Sequence, residues 1–385
     1  NHFLTIFETQ TMNVHVRPFR SNFSASAVLF RRQLSSSFRF LTVSTHPTAR
    51  EIKKNGLPIL SRVSQHARDG RVLSLDWKHE DGYQDVLTYN QIMEHATKIG
   101  DTLQNGSQSQ TGMIANLCVP GWEYISTLFA IWGTGFASVP LALTQREPEI
   151  EHVLRDTQPD MILLGGNSSF QGRPPTRCPP NESALLKAAE NVGLRDRVVL
   201  LQDILQCEES KPKGNHFLGY NVNFDDPALV LYTSGTTGKP KGVVSTHKNI
   251  YFQVTDLVSS WEWSSDDVAI HVLPLHHVHG IINLLSCAAY SGAQLDFQQF
   301  NAIKLWKEWA DPGSSNTVQP TIFMAVPTIY AKLLEASPSI SPQMLRKYTQ
   351  AYEADGIRIR SITCISVRTM AKFDRPYTFG ALWDD

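Results

Sequence analysis

Leu229–Asn249 reads LVLYTSGTTGKPKGVVSTHKN, and this stretch decides the architecture. An apolar run, Ala228–Tyr232, ends in a dense turn of Thr, Ser and Gly, Thr233–Gly238. Lys239, Pro240, Lys241 and Gly242 follow, then the β-branched pair Val243–Val244 and a polar run, Ser245–Asn249, able to start a helix. That order describes a buried strand that delivers a loop to the carboxyl edge of a sheet. Glycine at 235, 238 and 242 lets backbone N–H groups turn inward without a Cβ in the way. Inward amides make an anion-binding concavity. Thr233, Ser234, Thr236 and Thr237 add hydroxyl donors, and Lys239 and Lys241 add charge, so the fitting guest is a polyanion such as a triphosphate. The stretch is not a Walker A loop. The position five before Gly238 holds Thr233 instead of glycine, and Lys239 is followed by Pro240, which has no hydroxyl for Mg²⁺. A solvated Ser/Gly surface turn is the bland alternative, and the two strand-like runs that flank it argue against it.

Two further stretches bear on the same reading. His276, His277 and His279 cluster after a strand that Pro274 ends, where ligands bind in open α/β sheets. Their spacing matches no standard zinc site and no Cys or carboxylate accompanies them, so no metal is assigned. FMAVPTIYAKLLE, 323–335, reads as a buried strand followed by a helix with Pro327 in its first turn, where the missing N–H costs nothing. Val326 then stands at the strand's end, beside a cleft.

Ser234–Gly242, SGTTGKPKG, resembles the phosphate-loop signature of the adenylate-forming enzymes. LPLHHVHG at 273–280 and the 323–335 stretch resemble the malonyl-CoA synthetase branch, acyl-CoA synthetase family member 3 included. The resemblance covers about residues 60–355. It implies an α/β fold, the N-terminal large domain of that family, with two mostly parallel sheets flanked by helices and incomplete at the C-terminus. It implies ATP, Mg²⁺ and coenzyme A as co-reactants and a carboxylic acid as substrate, malonate foremost. Thr233, Ser234, Gly235, Thr236, Thr237, Gly238, Lys239 and Lys241 would hold the β- and γ-phosphates, with Lys241 and His279 in catalytic roles. His279 would orient the distal carboxylate, His276 and His277 would face the adenylate pocket, and Ala325–Thr328 with Tyr330 would form a gate. Arg358 and Arg360 lie where the family carries an arginine whose fork matches the second carboxylate; two ordinary strand-edge arginines are the alternative.

After that point the family pattern breaks. The resemblance requires a Ser-Gly-rich strand end, a Tyr-Gly-x-Thr-Glu motif, a ribose-binding Asp, a hinge and a small C-terminal domain with a catalytic Lys. Residues 361–385 read SITCISVRTMAKFDRPYTFGALWDD and spell none of them. The expectation is a divergent tail, an absent small domain and a chain that completes neither half-reaction; Asp374, Asp384 and Asp385 are not promoted to metal ligands. Two rival readings remain open at the level of sequence: a non-catalytic nucleotide-binding remnant, and a ligase for a medium-chain fatty or aryl acid.

Composition bounds the rest. A chain of 385 residues, 42% apolar and 18% charged, can bury a large core in two or three domains. A formal charge of −1 gives no electrostatic case for nucleic acid or acidic membranes. Five scattered cysteines show no metal spacing and read as reduced thiols. No apolar run approaches the roughly 18 residues that span a bilayer. Between Glu8 and Glu51 there is no acidic residue, whereas Arg17, Arg20, Arg31, Arg32, Arg39 and Arg50 stand among many serines. That is the composition of a mitochondrial transit peptide, with a disordered tail as the alternative. The expected location is the mitochondrial matrix, with cytoplasm or peroxisome as alternatives, and the expected state a monomer or weak homo-oligomer. The expected division is 1–50 outside the fold, a first α/β subdomain over 55–225, a second over 226–360 with the phosphate loop, and a tail over 361–385.

Within those limits the pattern predicts helix and strand in alternation. Thr88 with Gln91 forms a capping box ahead of Ile92, Ala96, Ile99 and Leu103 at helical spacing. Strands are expected at 72–75, 112–117, 137–140, 161–164, 197–201, 267–273, 294–297 and 321–326. Helices are expected at 122–133, 147–156, 183–191, 249–259, 280–290, 303–309 and 327–335. Trp122, Trp132, Trp306 and Trp309 read as packing residues. This alternation predicts a largely parallel sheet covered by helices on its faces.

Overall fold

Short apolar runs rich in β-branched residues form strands wherever a helix returns the chain between them. The computed structural model describes residues 47–78, 84–106, 111–166, 179–206, 219–233, 239–310, 320–336 and 360–363, all within one unit, Pro47–Asp385. In chain order the strands are β1 (Val72–Lys78), β2 (Gln84–Thr88), β3 (Met113–Leu117), β4 (Ala137–Pro140), β5 (Met161–Leu164) and β6 (Val198–Leu200). They continue as β7 (Pro227–Thr233), β8 (Lys241–Thr246), β9 (Val268–His271), β10 (Gln294–Phe297), β11 (Ile322–Ala325) and β12 (Arg360–Thr363).

Two sheets result. One runs β6-β5-β3-β4-β7-β8 and the other β12-β11-β9-β10-β1-β2. Every neighbouring pair is parallel except the two hairpin partners at one edge of each sheet, β8 against β7 and β2 against β1. Strands β3, β4, β5 and β11 are buried almost throughout, which is why they read as continuous apolar runs without alternation.

The sheets do not divide where the expected subdomain boundary near 226 fell. β1 and β2 pair with the later strands, and β7 and β8 with the earlier ones. The physical reason is register: Ser74 pairs with Leu295 and Ser138 with Leu229, contacts between residues far apart in the chain that no local pattern announces.

The helix Trp122–Thr134 occupies the middle. It is mostly apolar and buried from Trp122 through Gly133, with Glu123, Ser126 and Thr127 among the buried residues, as a helix enclosed by other elements must be. Its Trp132 Nε1–H donates to the Ala228 carbonyl at 2.9 Å, and its Tyr124 hydroxyl to the Leu275 carbonyl at 2.8 Å. Ile125, Leu128, Phe129 and Ile131 join Ile92, Ile99 and Leu103 of the helix Tyr89–Gly106 in one core cluster. Each such side chain contributes about 1.5–3 kcal/mol over its exposed state.

Local rules explain most element starts. The Thr88–Gln91 capping box is present, with Thr88 N–H donating to Gln91 Oε1 at 2.9 Å and Gln91 N–H to Thr88 Oγ1 at 3.3 Å. Thr246 and Asn249 cap the helix His247–Ser260 in the same reciprocal way. A third box, Thr48 with Glu51, opens the helix Ala49–Asn55, so helical structure begins ahead of residue 55, where the first subdomain was expected to start. β2 and the short helix Leu201–Gln206 were also not anticipated. The expected helix 280–290 is instead a π-helical turn, His279–Ser286, followed by a short α-helix, Cys287–Ser291. The Ser286 hydroxyl donates to the Ile281 carbonyl, five residues back, at 2.8 Å, in keeping with the wider turn. Among the described residues no helix is long and apolar enough to cross a membrane.

Candidate functional site

β7 and β8 form the stem of the stretch Leu229–Asn249. Ala228–Leu231 is buried, and Thr233 faces Lys241 across the hairpin. Thr233, Lys239 and Lys241 are exposed. Ser234, Gly235, Thr236, Thr237 and Gly238 lie outside the described residues. Both arms of the stem are tied to the helix Glu147–Thr157. Tyr232 Oη donates to Asp156 Oδ2 at 2.5 Å, and His152 Nε2–H donates to the Pro240 carbonyl at 2.9 Å. The His152 ring also meets Tyr232 edge-on, with centroids 6.1 Å apart. Burial, and then the hydrogen bond to Asp156, push the Tyr232 hydroxyl up, so the phenol keeps its proton. The loop is thus carried by a braced hairpin whose two lysines point into solvent-accessible space, the arrangement a phosphate chain needs.

The imidazole loop follows β9. His276 and His277 lie with ring centroids 4.1 Å apart. Burial, then the neighbouring His277, bring His276 down to about 4; burial alone lowers His277 and His279. All three are neutral near pH 7, so they can donate or accept hydrogen bonds but bring no fixed charge. His271, at the end of β9, stacks on Phe297 with centroids 4.8 Å apart, and its Nε2–H donates to the Gly280 carbonyl at 3.1 Å. Gly280 sits so close to Pro274 that a Cβ would lie 2.3 Å from the Pro274 carbonyl oxygen. Only glycine allows the loop to fold back on itself there.

His279 has a partner on one side. Its Nδ1 lies 3.3 Å from Asn283 Nδ2, and Asn283 Oδ1 accepts from Gln253 Nε2 at 2.9 Å. Its Nε2 is buried and has no hydrogen-bond partner among the described residues.

The central helix brings hairpin and imidazoles to one edge. It returns the chain from the carboxyl end of β3 to the amino end of β4, so it runs antiparallel to both and to β7. Trp132, near its end, touches Ala228 at the amino end of β7, whereas Tyr124, near its start, holds Leu275 of the imidazole loop. The imidazole loop therefore lies at the carboxyl edge, from which β7 also delivers Thr233. Parallel α/β sheets bind ligands at that edge.

The other expected site residues divide. Val326 follows β11, and the β9–β11 register (Phe323 opposite Ile270) extended by three residues puts it level with Leu273, next to the imidazole loop. It is partly exposed there, as a residue lining a cleft would be. Arg360 pairs with Ile322 at the amino end of β12, three residues or about 10 Å from the carboxyl edge. Its pairing fixes only the backbone, and its role toward the acid stays an expectation. Arg358 lies outside the described residues. Among the described residues no group of three His, Cys, Asp or Glu is arranged to hold a metal ion, so no Mg²⁺ ligand is assigned. A cavity of about 380 Å³, lined by Arg62, His66, Arg71, Trp263 and Tyr290 among others, lies at the opposite, amino-terminal edge, since Arg71 directly precedes β1.

The sequence reading missed His152, Tyr124, Gln253 and Asn283. His152 and Gln253 look like any polar residue on a helix face. Asn283 stood four residues after His279, a helical neighbour spacing that could have flagged it.

A family model described as AMP-binding enzyme matches residues 63–371. Among curated proteins, the mitochondrial malonate–CoA ligase ACSF3 of Bos taurus is 35% identical over 223 residues, 58% of this chain and 35% of the relative. The corresponding Xenopus laevis protein is 31% identical over 325 residues, 82% of this chain and 51% of the relative. The chain thus spans about half or less of the length of the relatives it matches. Among solved structures, ATP-bound MatB from Rhodopseudomonas palustris superposes with a TM-score of 0.60 at 22% identity, over 80% of this chain and 55% of that one. This likeness speaks for the fold: two mixed sheets flanked by helices, as in the N-terminal domain of the adenylate-forming enzymes.

Proposed function

The chain belongs to the AMP-binding enzyme family, and from that premise we propose that it is the large-domain portion of a carboxylic acid–CoA ligase whose acid is malonate. The single observation that carries this reading is the shared carboxyl edge. A braced hairpin with Thr233, Lys239 and Lys241 stands on the same side as a loop whose His279 presents a buried nitrogen without a hydrogen-bond partner among the described residues. One element suits the phosphates of ATP and the other an acid held beside them.

In the proposed reaction one carboxylate oxygen of malonate attacks the α-phosphorus of ATP. The bond from that phosphorus to the bridging oxygen of pyrophosphate breaks, giving malonyl-adenylate and pyrophosphate. The CoA thiol then adds to the acyl carbon and loses its proton, AMP leaves, and the thioester remains. Lys239 and Lys241 balance the charge of the β- and γ-phosphates, and Lys241 stabilises charge that develops during transfer. The hydroxyl of Thr233 and the loop 234–238 would donate to the same oxygens. His279 holds the distal carboxylate by a hydrogen bond, His276 and His277 line the adenylate side, and Val326 borders the acyl cleft. Mg²⁺, when bound, supplies further charge to the phosphates. The Arg-rich, acid-poor segment 1–50, together with the mitochondrial naming of the relatives above, supports a mitochondrial location.

Binding is the primary readout, since residues 361–385 spell none of the motifs that the resemblance requires for the phosphoryl step. Calorimetric titration of the 385-residue chain with ATP, then with malonate, octanoate or benzoate in the presence of a non-hydrolysable ATP analogue, tests the reading. Malonate is expected to bind more tightly than the two monocarboxylates, and a preference for octanoate or benzoate would reassign the acid. Acid-dependent pyrophosphate release is then the test of turnover; ATP and malonate binding without it would mark the chain as a non-catalytic binder.

A further inference from the structure

We infer that Asn283, itself held by Gln253, is a positioning residue that fixes His279 in the tautomer whose Nε2 carries the proton. The carboxyl edge would then offer the acid a neutral hydrogen-bond donor instead of a cation. The inference deepens the malonate reading in what it says of the ligand, and stands apart from it in what it says of the imidazole.

Three side chains form the relay. Gln253, on the helix His247–Ser260, donates from Nε2 to Asn283 Oδ1 at 2.9 Å. That contact uses the acceptor end of the Asn283 amide and turns its NH₂ toward His279, with Nδ2 3.3 Å from Nδ1. An amide nitrogen only donates, so Nδ1 must offer its lone pair. The proton of the neutral ring then sits on Nε2, the buried atom without a partner among the described residues. A buried donor left unmade is costly, and a ligand oxygen is what would satisfy it. Protonating the ring would set an N–H of the imidazolium against the NH₂ of Asn283, donor against donor. Burial opposes the same protonation. Asn283 lies in the π-helical turn and its own side chain is buried, so its two hydrogen-bond partners, and not water, set which way its amide faces.

Two consequences separate this from simple packing. The donor at Nε2–H recognises any oxygen acceptor, so the residue itself distinguishes the carboxylate of malonate from the amide of its monoamide only weakly. The relay can also be reversed from a distance. Gln253→Glu puts an acceptor-only carboxylate at its far end, so Asn283 must turn its NH₂ to residue 253 and its oxygen to His279. Nδ1 then becomes the protonated atom.

The test is NMR of the full chain labelled with ¹³C,¹⁵N-histidine, the His279 signals being assigned by loss in His279→Gln. The wild type is expected to show the Nε2–H form. Gln253→Glu is expected to move His279 to the Nδ1–H form, and Asn283→Asp to move it to the imidazolium and so raise the preference for malonate over its monoamide about tenfold through a charge-assisted bond. An Nδ1–H form in the wild type, or an unchanged tautomer in Gln253→Glu, would overturn the inference. Should Asn283→Asp fail to fold, Gln253→Glu, at a half-exposed position, still decides it. Failure of malonate to bind alongside the expected tautomers would sink the substrate reading and leave the relay standing.

Discussion

Replacing Gly280 by alanine tests whether the fold-back of the imidazole loop is what orders the acid site. The new Cβ would lie 2.3 Å from the Pro274 carbonyl oxygen and 3.1 Å from the Pro274 carbonyl carbon, whereas ordinary contact begins near 3.4 Å. The obstacle is backbone, so no side chain can swing away. Pro274 must retreat by about 1 Å, and overpacking of this kind costs about 1–3 kcal/mol, with a backbone neighbour at the upper end. The retreat acts on a segment held by three contacts: Tyr124 Oη on the Leu275 carbonyl, His271 Nε2 on the Gly280 carbonyl, and Gly280 N–H on the His277 carbonyl at 3.1 Å. A displacement of about 1 Å in a positioned group can cost up to about 100-fold in function. We therefore expect malonate affinity to fall at least about tenfold and ATP affinity to change by less than about twofold, because the β7–β8 stem is braced separately. The matched control is Gly292→Ala. There φ is +87° and a Cβ would meet the His66 ring at 2.8 Å, next to the amino-edge cavity instead of the acid site. It should lower stability comparably yet leave malonate affinity intact. Calorimetry and urea unfolding on the two variants measure both quantities. Unchanged stability and malonate affinity in Gly280→Ala would refute the reasoning, and equal loss of malonate binding in both variants would show that the effect is global.

Three other perturbations probe separate parts of the account. His152→Ala removes the anchor on the Pro240 carbonyl and the edge contact with Tyr232; ATP affinity should fall about three- to tenfold at a stability cost of about 1 kcal/mol, and an unchanged Kd for ATP would count against bracing by this helix. Burial holds His247 and His271 down to about 4 from an ordinary 6.5, so their neutral-state stability is intact above 6.5 and is lost as pH falls from 6.5 to 4. Each accounts for about 3 kcal/mol over that window, and urea midpoints at pH 7, 6, 5 and 4 should decline accordingly; a flat profile would contradict it. Trp132→Phe leaves the Ala228 carbonyl without its donor and opens a void in the central helix, so the urea midpoint should drop by an amount worth about 2 kcal/mol with the m-value unchanged.

Much of the scaffold could be read locally. β4, β5 and β10 have the bounds that their apolar runs imply, and the Thr88–Gln91 box starts its helix as the capping rule requires. Pairing was not legible. β1 sits beside β10 because Ser74 and Leu75 meet Leu295 and Asp296, and nothing near either strand encodes the choice of partner. The Thr48–Glu51 box obeys the same rule as Thr88–Gln91, but it lies where Arg and Ser composition had suggested a targeting segment. At the site, the histidines and the two lysines were legible by type and order. Their supports were not: Tyr124 acts through a backbone carbonyl, His152 through another, and the π-helical turn that aligns His279 with Asn283 breaks the 3.6-residue period used to find helices. Arg360 is placed by strand register, opposite Ile322, which its chemistry alone does not announce.

The claim on which the rest depends is that the stem between Thr233 and Lys241 carries a grip for the phosphates of ATP. Calorimetric titration of ATP into the wild-type chain and into the Lys239→Ala/Lys241→Ala double variant, with inorganic tripolyphosphate as competitor, tests it most directly. The account predicts saturable ATP binding that tripolyphosphate displaces and that the double substitution weakens at least about tenfold, with AMP affinity little changed. Equal ATP affinity in the two proteins, or no competition by tripolyphosphate, would contradict it.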